Sequence, residues 1–155
     1  MNRKLLPLIA LCLFVASCGS RTVLDETKPF ANNCWKRFEP AEFTIPKVDP
    51  NEAYRISLTL RYDTTRLTGK MLPLLVVFYA DSNERHTITP DFELCDQQGK
   101  RHGQTVGQYC TVSDTIDYYR RFSHAEPYTY KIKQRTSKYE LYGVASLQMK
   151  AEKLK

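Results

Sequence analysis

The sequence lacks a hydrophobic run long enough to cross a bilayer as a helix. Its longest apolar stretch, Leu5–Val15, has eleven residues, whereas a membrane-spanning helix needs about 20. Two basic residues precede this stretch, and two small residues separate it from Cys18. A basic start, a short apolar run and a small-residue end are the three parts of a secretory signal. We therefore predict that residues 1–17 form a signal peptide.

The end of this signal, Val15-Ala16-Ser17-Cys18, resembles the lipobox of bacterial lipoproteins. That resemblance implies cleavage before Cys18 and a thiol that carries diacylglycerol, with fatty acyl chains such as palmitate. Two or three acyl chains anchor a protein stably where one does not. We expect residues 18–33 to be an acylated tether on the cell envelope, facing the periplasm, with the outer membrane favoured over the inner. An ordinary signal peptide and an uncleaved anchor are the alternatives.

Cysteine is scarce. Of the five in the sequence, Cys12 leaves with the signal and Cys18 is assigned to lipid. The remaining three are an odd number in an oxidising compartment and allow at most one intrachain bridge. Segments 92–96 and 106–112 are predicted to pair as a hairpin, which would bring Cys95 and Cys110 within disulfide range. We predict that bridge and a reduced Cys34. No Cys-x-x-Cys pair supports a metal site.

Glycine is also scarce, at six residues against ten tyrosines, and tyrosine with Thr, Val and Ile favours strands. Apolar and polar residues alternate over Tyr54–Tyr62 and again over Tyr128–Lys133, which is typical of half-buried strands. Leu72–Ala80 is apolar on both faces, as in a central strand. We predict an all-β fold, an antiparallel β-sandwich of seven to nine short strands, as a single domain over residues 34–155.

The sequence offers little material for catalysis. Its three histidines, His86, His102 and His124, lie in polar segments outside any nucleophile motif. The carboxylate pair Asp81 and Glu84, like Asp114 and Asp117, has a spacing that is equally typical of solvated loops. We therefore predict no catalytic residue, no metal, no cofactor and no enzymatic activity.

The basic residues are dispersed, and the net charge of +6 is too small to predict nucleic-acid binding. One local row, Lys131, Lys133 and Arg135, lies on the outward side of a late strand. With Arg61 and Tyr142 it is the predicted interaction surface, because arginine and aromatic residues are enriched where interfaces carry their energy. Anionic lipid headgroups, or no partner beyond solvent, are alternative interpretations of the row.

Four motifs recur in an order that resembles the gliding-motility lipoprotein family GldH. They read Asp49-x4-Tyr54-x-Ile56-x-Leu58-x-Leu60-Arg61, then Leu94-x4-Gly99-x3-Gly103, then Tyr128-x-Tyr130-x-Ile132-x-Gln134, then Leu141-Tyr142-Gly143-Val144. The resemblance implies an acylated envelope lipoprotein associated with gliding, or with the surface-secretion machinery on which gliding depends. It implies no reaction and no catalytic residues.

These observations favour a non-catalytic adaptor that is bound to the membrane by its lipid and to envelope protein partners by its surface. A lipoprotein that binds a carbohydrate or small ligand is the second hypothesis, and it requires exposed aromatic side chains clustered in a concave site. A hydrolase is the third, and it requires polar side chains that converge in a pocket.

Overall fold

The computed structural model describes residues 21–155, which contain twelve strands, one 3₁₀ turn at Ala31–Asn33 and no α-helix. The strands are β1 (Thr22–Pro29), β2 (Cys34–Lys36), β3 (Ala41–Ile45), β4 (Tyr54–Asp63), β5 (Met71–Tyr79), β6 (Arg85–Ile88), β7 (Asp91–Glu93), β8 (Gln104–Val106), β9 (Tyr109–Arg120), β10 (Tyr128–Gln134), β11 (Glu140–Tyr142) and β12 (Val144–Lys153). No helix within these residues is long and apolar enough to span a membrane.

The strands form two antiparallel sheets that pack face to face. The first sheet has the order β1-β12-β4-β9-β8, and the second has the order β3-β10-β5-β6 with β7 also paired to β5. A separate two-stranded sheet joins β11 and β2. This arrangement confirms the predicted antiparallel β-sandwich, although short strands such as β8 and β11 take the number of strands above the predicted seven to nine.

The core lies between the sheets and follows the predicted alternation. All five apolar residues of β4 are at most 1% exposed, and so are the three of β10. These residues are Tyr54, Ile56, Leu58, Leu60 and Tyr62 on the first sheet and Tyr128, Tyr130 and Ile132 on the second. Period-two patterning therefore identified the strands that supply much of the core.

The two ends of the sandwich are distinct. Thr22 pairs with Glu152 on β12, and Tyr54 pairs with both Lys153 and Arg120, so these strand ends lie side by side. The ring of Phe122 contacts Tyr54 on the first sheet and Tyr128 on the second. We call this the Thr22 end. The opposite end, which carries β2, β11 and the buried Trp35, is the Trp35 end.

The predicted tether, residues 18–33, is wrong from Thr22 onward, because β1 pairs along its length with β12. Val23 and Leu24 pack partly against the core, and β1 is an edge strand, where Pro29 at its end is tolerated. Backbone pairing, which polar residues also provide, explains how so hydrophilic a segment folds. The predicted signal peptide and Cys18 lie outside the described residues.

The predicted hairpin between segments 92–96 and 106–112 is also wrong. β7 pairs with β5, whereas β9 pairs with β4 and with β8. The actual hairpin is β8–β9, whose Val106 and Tyr109 are partners across a two-residue turn that starts at Gly107, with φ +61°. A glycine with positive φ suits the twisted turns that close such hairpins.

This pairing removes the geometric argument for a Cys95–Cys110 disulfide. Cys110 lies opposite Tyr62 and Thr105, while Cys95 forms an isolated bridge with Arg101. The Cys110 thiol donates to the carbonyl oxygen of His102 at 3.2 Å. Cys34, Cys95 and Cys110 are all free thiols in this structure.

Candidate functional site

The cationic row predicted on the late strand lies on the outer side of the second sheet. Lys131 is opposite Val77 of β5, and Lys133 is opposite Leu75. Arg135 follows the strand directly, and its backbone N–H donates to the carbonyl oxygen of Pro73 at 2.8 Å. The core-facing residues between them are buried, so the three cations share one outward surface.

The neighbouring strand β5 adds an apolar stripe to this surface. Its even-numbered residues from Leu72 to Phe78 are buried in the core, whereas Leu75, Val77 and Tyr79 are half-buried and face outward. β5 was predicted as a central strand because it is apolar on both faces. The structure confirms the strand, and it leaves the second apolar row on the outer face of the sandwich.

Two open grooves follow this surface. One, of about 470 Å³, is lined by Tyr79, Arg85, Lys131 and other residues near the Thr22 end. The other, of about 340 Å³, is lined by Arg37, Phe38 and Arg135 near the Trp35 end. Leu75 and Lys133 line both grooves, so the surface is continuous. We call it the basic–apolar face; its members are Arg37, Phe38, Leu75, Val77, Tyr79, Arg85, Lys131, Lys133 and Arg135.

The cations of this face are unequally neutralised. Lys131 Nζ lies 3.2 Å from Glu42 Oε1 and 5.6 Å from the centroid of the Tyr79 ring. The hydrogen bond to Glu42 is the main reason that the pKa of Lys131 is raised. Within residues 21–155, Arg85, Lys133 and Arg135 form no ion pair with a carboxylate. Their charge is therefore available to a partner.

The structure does not bring Arg61 or Tyr142 to this face. Arg61 lies on β4 of the other sheet, with its guanidinium 4.2 Å from the centroid of the Tyr109 ring. Tyr142 lies on β11, where its hydroxyl donates to Glu140 Oε2 at 2.6 Å, and this bond raises its pKa. The five predicted surface residues therefore occupy three separate places, because the alternation of one strand says nothing about which sheet another strand joins.

Phe38 is 67% exposed. Its ring lies 5.9 Å from that of Tyr139, and the Arg37 guanidinium lies 5.8 Å from its centroid. It is therefore part of the basic–apolar face that sequence reasoning missed. Its position between Arg37 and Glu39 was the signal available, because charged neighbours on both sides indicate a surface turn.

The most concentrated polar cluster lies at the Thr22 end, around Glu84. This carboxylate accepts hydrogen bonds from the Tyr128 hydroxyl, from His86 Nε2 at 2.9 Å and from the Ser123 hydroxyl at 3.1 Å, and it lies 3.5 Å from His124 Nδ1. Burial alone would raise its pKa, but these hydrogen bonds outweigh burial and lower it to about 2. Burial and the bond to Glu84 raise the pKa of Tyr128 to about 12.

This geometry does not assemble a nucleophile and its base. The Ser82 hydroxyl lies 3.4 Å from His124 Nδ1, the same nitrogen that faces Glu84. A relay needs the hydroxyl on one ring nitrogen and the acid on the other. A carboxylate that titrates near pH 2 is also a weak general base. Within residues 21–155, no three histidine, cysteine or acidic side chains are arranged to hold a metal ion.

Comparison with known proteins yields one match. No curated protein sequence and no solved structure matches the chain. A protein-family model, described as GldH lipoprotein, matches residues 22–150, from the first residue of β1 into the last strand of the sandwich. The match covers far more than half of the sequence and agrees with the motif order found in it. The chain belongs to the GldH lipoprotein family.

Proposed function

We propose that this protein is a membrane-anchored, non-catalytic adaptor of the cell envelope, which binds a component of the gliding machinery or of its associated secretion system through the basic–apolar face. The observation that carries the proposal is the outward apolar row of β5 beside cations that lack a carboxylate partner in the described residues. The family supports association with gliding motility and a membrane-anchored place in the envelope.

The chemistry of the face favours a protein partner. Leu75, Val77 and Tyr79 form an apolar centre, and Arg85 and Lys133 lie at its margin, which is the common arrangement of an interface core and its polar rim. The matching surface carries apolar side chains surrounded by carboxylates, because opposite charges steer association and fix its register. The partner of this proposal is therefore an acidic protein surface.

The anchor of this proposal is the acylated thiol of Cys18, on the periplasmic side of the outer membrane. Its support is the short apolar run and the Val-Ala-Ser-Cys ending, together with the lipoprotein family. An anchored adaptor holds its partner near the membrane and thereby raises the partner's local concentration there.

Two observations favour an adaptor over the other hypotheses. The exposed aromatic side chains of residues 21–155 are divided between the two ends of the sandwich, with Tyr118 and Tyr119 at one end and Phe38, Tyr139 and Tyr142 at the other. At the Trp35 end, Phe38 and Tyr142 line different grooves. This separation argues against a carbohydrate site. The Glu84 cluster, as described above, lacks the geometry of a hydrolase.

Reversal of two charges tests the proposed face. In cells, the acylated protein with Lys133→Glu and Arg135→Glu is cross-linked, recovered and compared with the unmodified protein. We expect recovery of an acidic envelope partner to fall by at least about tenfold, since like charges facing each other at an interface are strongly unfavourable. The melting temperature should stay within a few degrees, because both side chains lie outside the core, where most substitutions change stability little.

A matched control reverses two exposed lysines away from the face, Lys47→Glu and Lys100→Glu. It makes the same change in net charge and should leave recovery unchanged. Equal recovery with the face variant and the unmodified protein would contradict the proposal. So would turnover of a glycan or peptide that a single histidine or aspartate substitution abolishes.

A further inference from the structure

Arg21, the first residue that the structure describes, follows Cys18 by only three positions in the sequence. β1 starts at Thr22, and the Lys153 backbone N–H donates to the carbonyl oxygen of Arg21 at 2.8 Å, so the chain is held from Arg21 onward. Three residues span at most about 11 Å. An acylated Cys18 lies at the start of the hydrocarbon, beneath a headgroup layer of about 5–7 Å. Arg21 therefore lies within roughly 5 Å of the headgroups.

We infer that the Thr22 end of the sandwich rests on the membrane, with Tyr118, Tyr119 and Arg121 in the phospholipid headgroup layer. The inference rests on the proposed acylation of Cys18. It assigns a second surface, distinct from the basic–apolar face, to a lipid partner.

Strand pairing places these residues at the same level as the anchor. From β1 the first sheet continues through the ends of β12, β4 and β9, where Lys153 pairs with Tyr54 and Tyr54 with Arg120. Three strand spacings amount to about 15 Å. The end of β9 is therefore beside the attachment point, at a distance comparable to a few lipid headgroups.

The side chains at this level have the chemistry of a membrane interface. Tyr118 is 71% exposed and Tyr119 is 61% exposed, and the other large exposed apolar side chains within residues 21–155 lie at the Trp35 end. Arg121 Nη2 donates to the Tyr119 hydroxyl at 3.0 Å, and its guanidinium lies 5.6 Å from the centroid of that ring. Tyrosine concentrates at membrane–water interfaces, and arginine binds phosphate through several N–H groups.

Two carboxylates on the neighbouring strand ends, those of Asp117 and Glu152, are already paired. Asp117 forms an ion pair with Arg120, and Glu152 lies 2.8 Å from Lys150 Nζ. Arg21 and Lys155 are exposed cations, like Arg121. They belong to the same end of the sandwich, because Arg21 bonds to Lys153 and Leu154 bonds to Ala53 beside β4. Each cation held near an anionic surface strengthens binding by roughly fivefold.

The outer side of the first sheet is a poor alternative. Its centre carries hydroxyl groups that bond to one another, as Thr59 and Ser113 do at 2.7 Å. A surface of paired hydroxyls offers no apolar group to the membrane. With the Thr22 end on the bilayer, β5 and β10 rise away from it, and the basic–apolar face stays open to a protein partner.

Hydrogen exchange of the acylated protein tests this orientation. Protein extracted from membranes is first weighed intact to verify the lipid on Cys18, and is then placed in detergent micelles or in vesicles of phosphatidylethanolamine and phosphatidylglycerol. We expect amides of residues 118–123 and 153–155 to exchange at least about fivefold more slowly on vesicles, because headgroups cover them. Amides of residues 36–39 and 138–142, at the Trp35 end, should exchange equally in both.

The chain supplies a matched control. The test variant, Tyr118→Ser, Tyr119→Ser and Arg121→Ser, should lose the protection on vesicles. The control, Phe38→Ser, Tyr139→Ser and Arg37→Ser, removes an equivalent exposed aromatic pair with its arginine at the other end and should keep it. Acylated protein with an unprotected Thr22 end, or with protection on the first sheet's outer side, would overturn the inference alone. An unmodified Cys18 would overturn the proposed anchor and this inference with it.

Discussion

One buried tyrosine has a ring that packs well in the core and a hydroxyl that finds no hydrogen-bond partner. Tyr130 is 1% exposed, and its ring stacks on Phe78 with centroids 4.8 Å apart. Its hydroxyl has no hydrogen-bond partner within the described part of the chain, and burial raises its pKa. A buried polar group without a partner costs about 1–3 kcal/mol of stability. The ring is favourable at this position, and the hydroxyl is not.

We therefore predict that Tyr130→Phe stabilises the protein. Removal of the unpaired hydroxyl should raise the free energy of unfolding by about 1 kcal/mol, measured by urea denaturation. The control is Tyr128→Phe on the same strand, whose hydroxyl donates to Glu84. That change leaves a carboxylate with one donor fewer and should lower stability by about 1–3 kcal/mol. A loss of stability in Tyr130→Phe comparable to that in Tyr128→Phe would contradict the prediction.

At the same scale, alternation predicted that Tyr128 and Tyr130 share an inward side, and both are buried. It did not predict which hydroxyl would find a partner. Glu84, the partner of Tyr128, is 44 residues away in the sequence. Hydrogen-bond partners that are distant in the sequence depend on strand order, which no local pattern contains.

Among the elements, the segment between β7 and β9 departed furthest from expectation. Two apolar segments around a glycine-rich loop predicted one hairpin, but β7 joined β5 and left a smaller hairpin, β8–β9, inside the loop. Long-range pairing with β5 and β4 decided the outcome. Gly103 permits the chain before β8 to pass close to β9, because a Cβ at this position would lie 2.1 Å from the carbonyl oxygen of Thr111.

We predict that Gly103→Ala is much more destabilising than Gly99→Ala. Both glycines have positive φ, +80° and +85°, but a Cβ at Gly99 meets nothing within 4 Å. The Gly99 variant should lose about 1–2 kcal/mol of unfolding free energy, which is the cost of a left-handed backbone for alanine. The Gly103 variant should lose about 3 kcal/mol or more, since the backbone of β9 must also move. Equal losses in urea denaturation would show that the close approach to β9 is unimportant.

Two other strands show why a polar composition gave a wrong prediction of structure and an apolar run gave a correct one. β1 was predicted as a tether because its composition is hydrophilic, but an edge strand gains its pairing from backbone hydrogen bonds that side-chain polarity does not reveal. β5 was predicted correctly from its apolar run. The sequence shows that both of its rows are apolar, but only the arrangement of the sheets shows that the outward row lies at the surface.

On the scale of the whole molecule, two separate surfaces are proposed to bind two different partners. We propose that the Thr22 end contacts lipid and that the basic–apolar face binds a protein partner. The core between the sheets holds these two surfaces in a fixed relation. Fold class and family were predictable from alternation and motif order, and both are confirmed. The location of the candidate site was only half predictable, because the row of Lys131, Lys133 and Arg135 is local to one strand, whereas its apolar neighbours come from another.

If the molecule acts at the membrane, its anchor must be essential. In a strain that lacks the protein, we predict that the lipidated form restores its role in gliding. A Cys18→Ser form, exported with a conventional signal peptide, should not, because the adaptor then diffuses away from its partner. Cys12→Ser is the matched control; it alters a cysteine within the predicted signal and should restore gliding fully. Intact mass should show a lipid adduct on the wild type and Cys12→Ser, and none on Cys18→Ser. Full rescue by the unlipidated form would mean that this sandwich works without the membrane, as a diffusing ligand carrier or enzyme does.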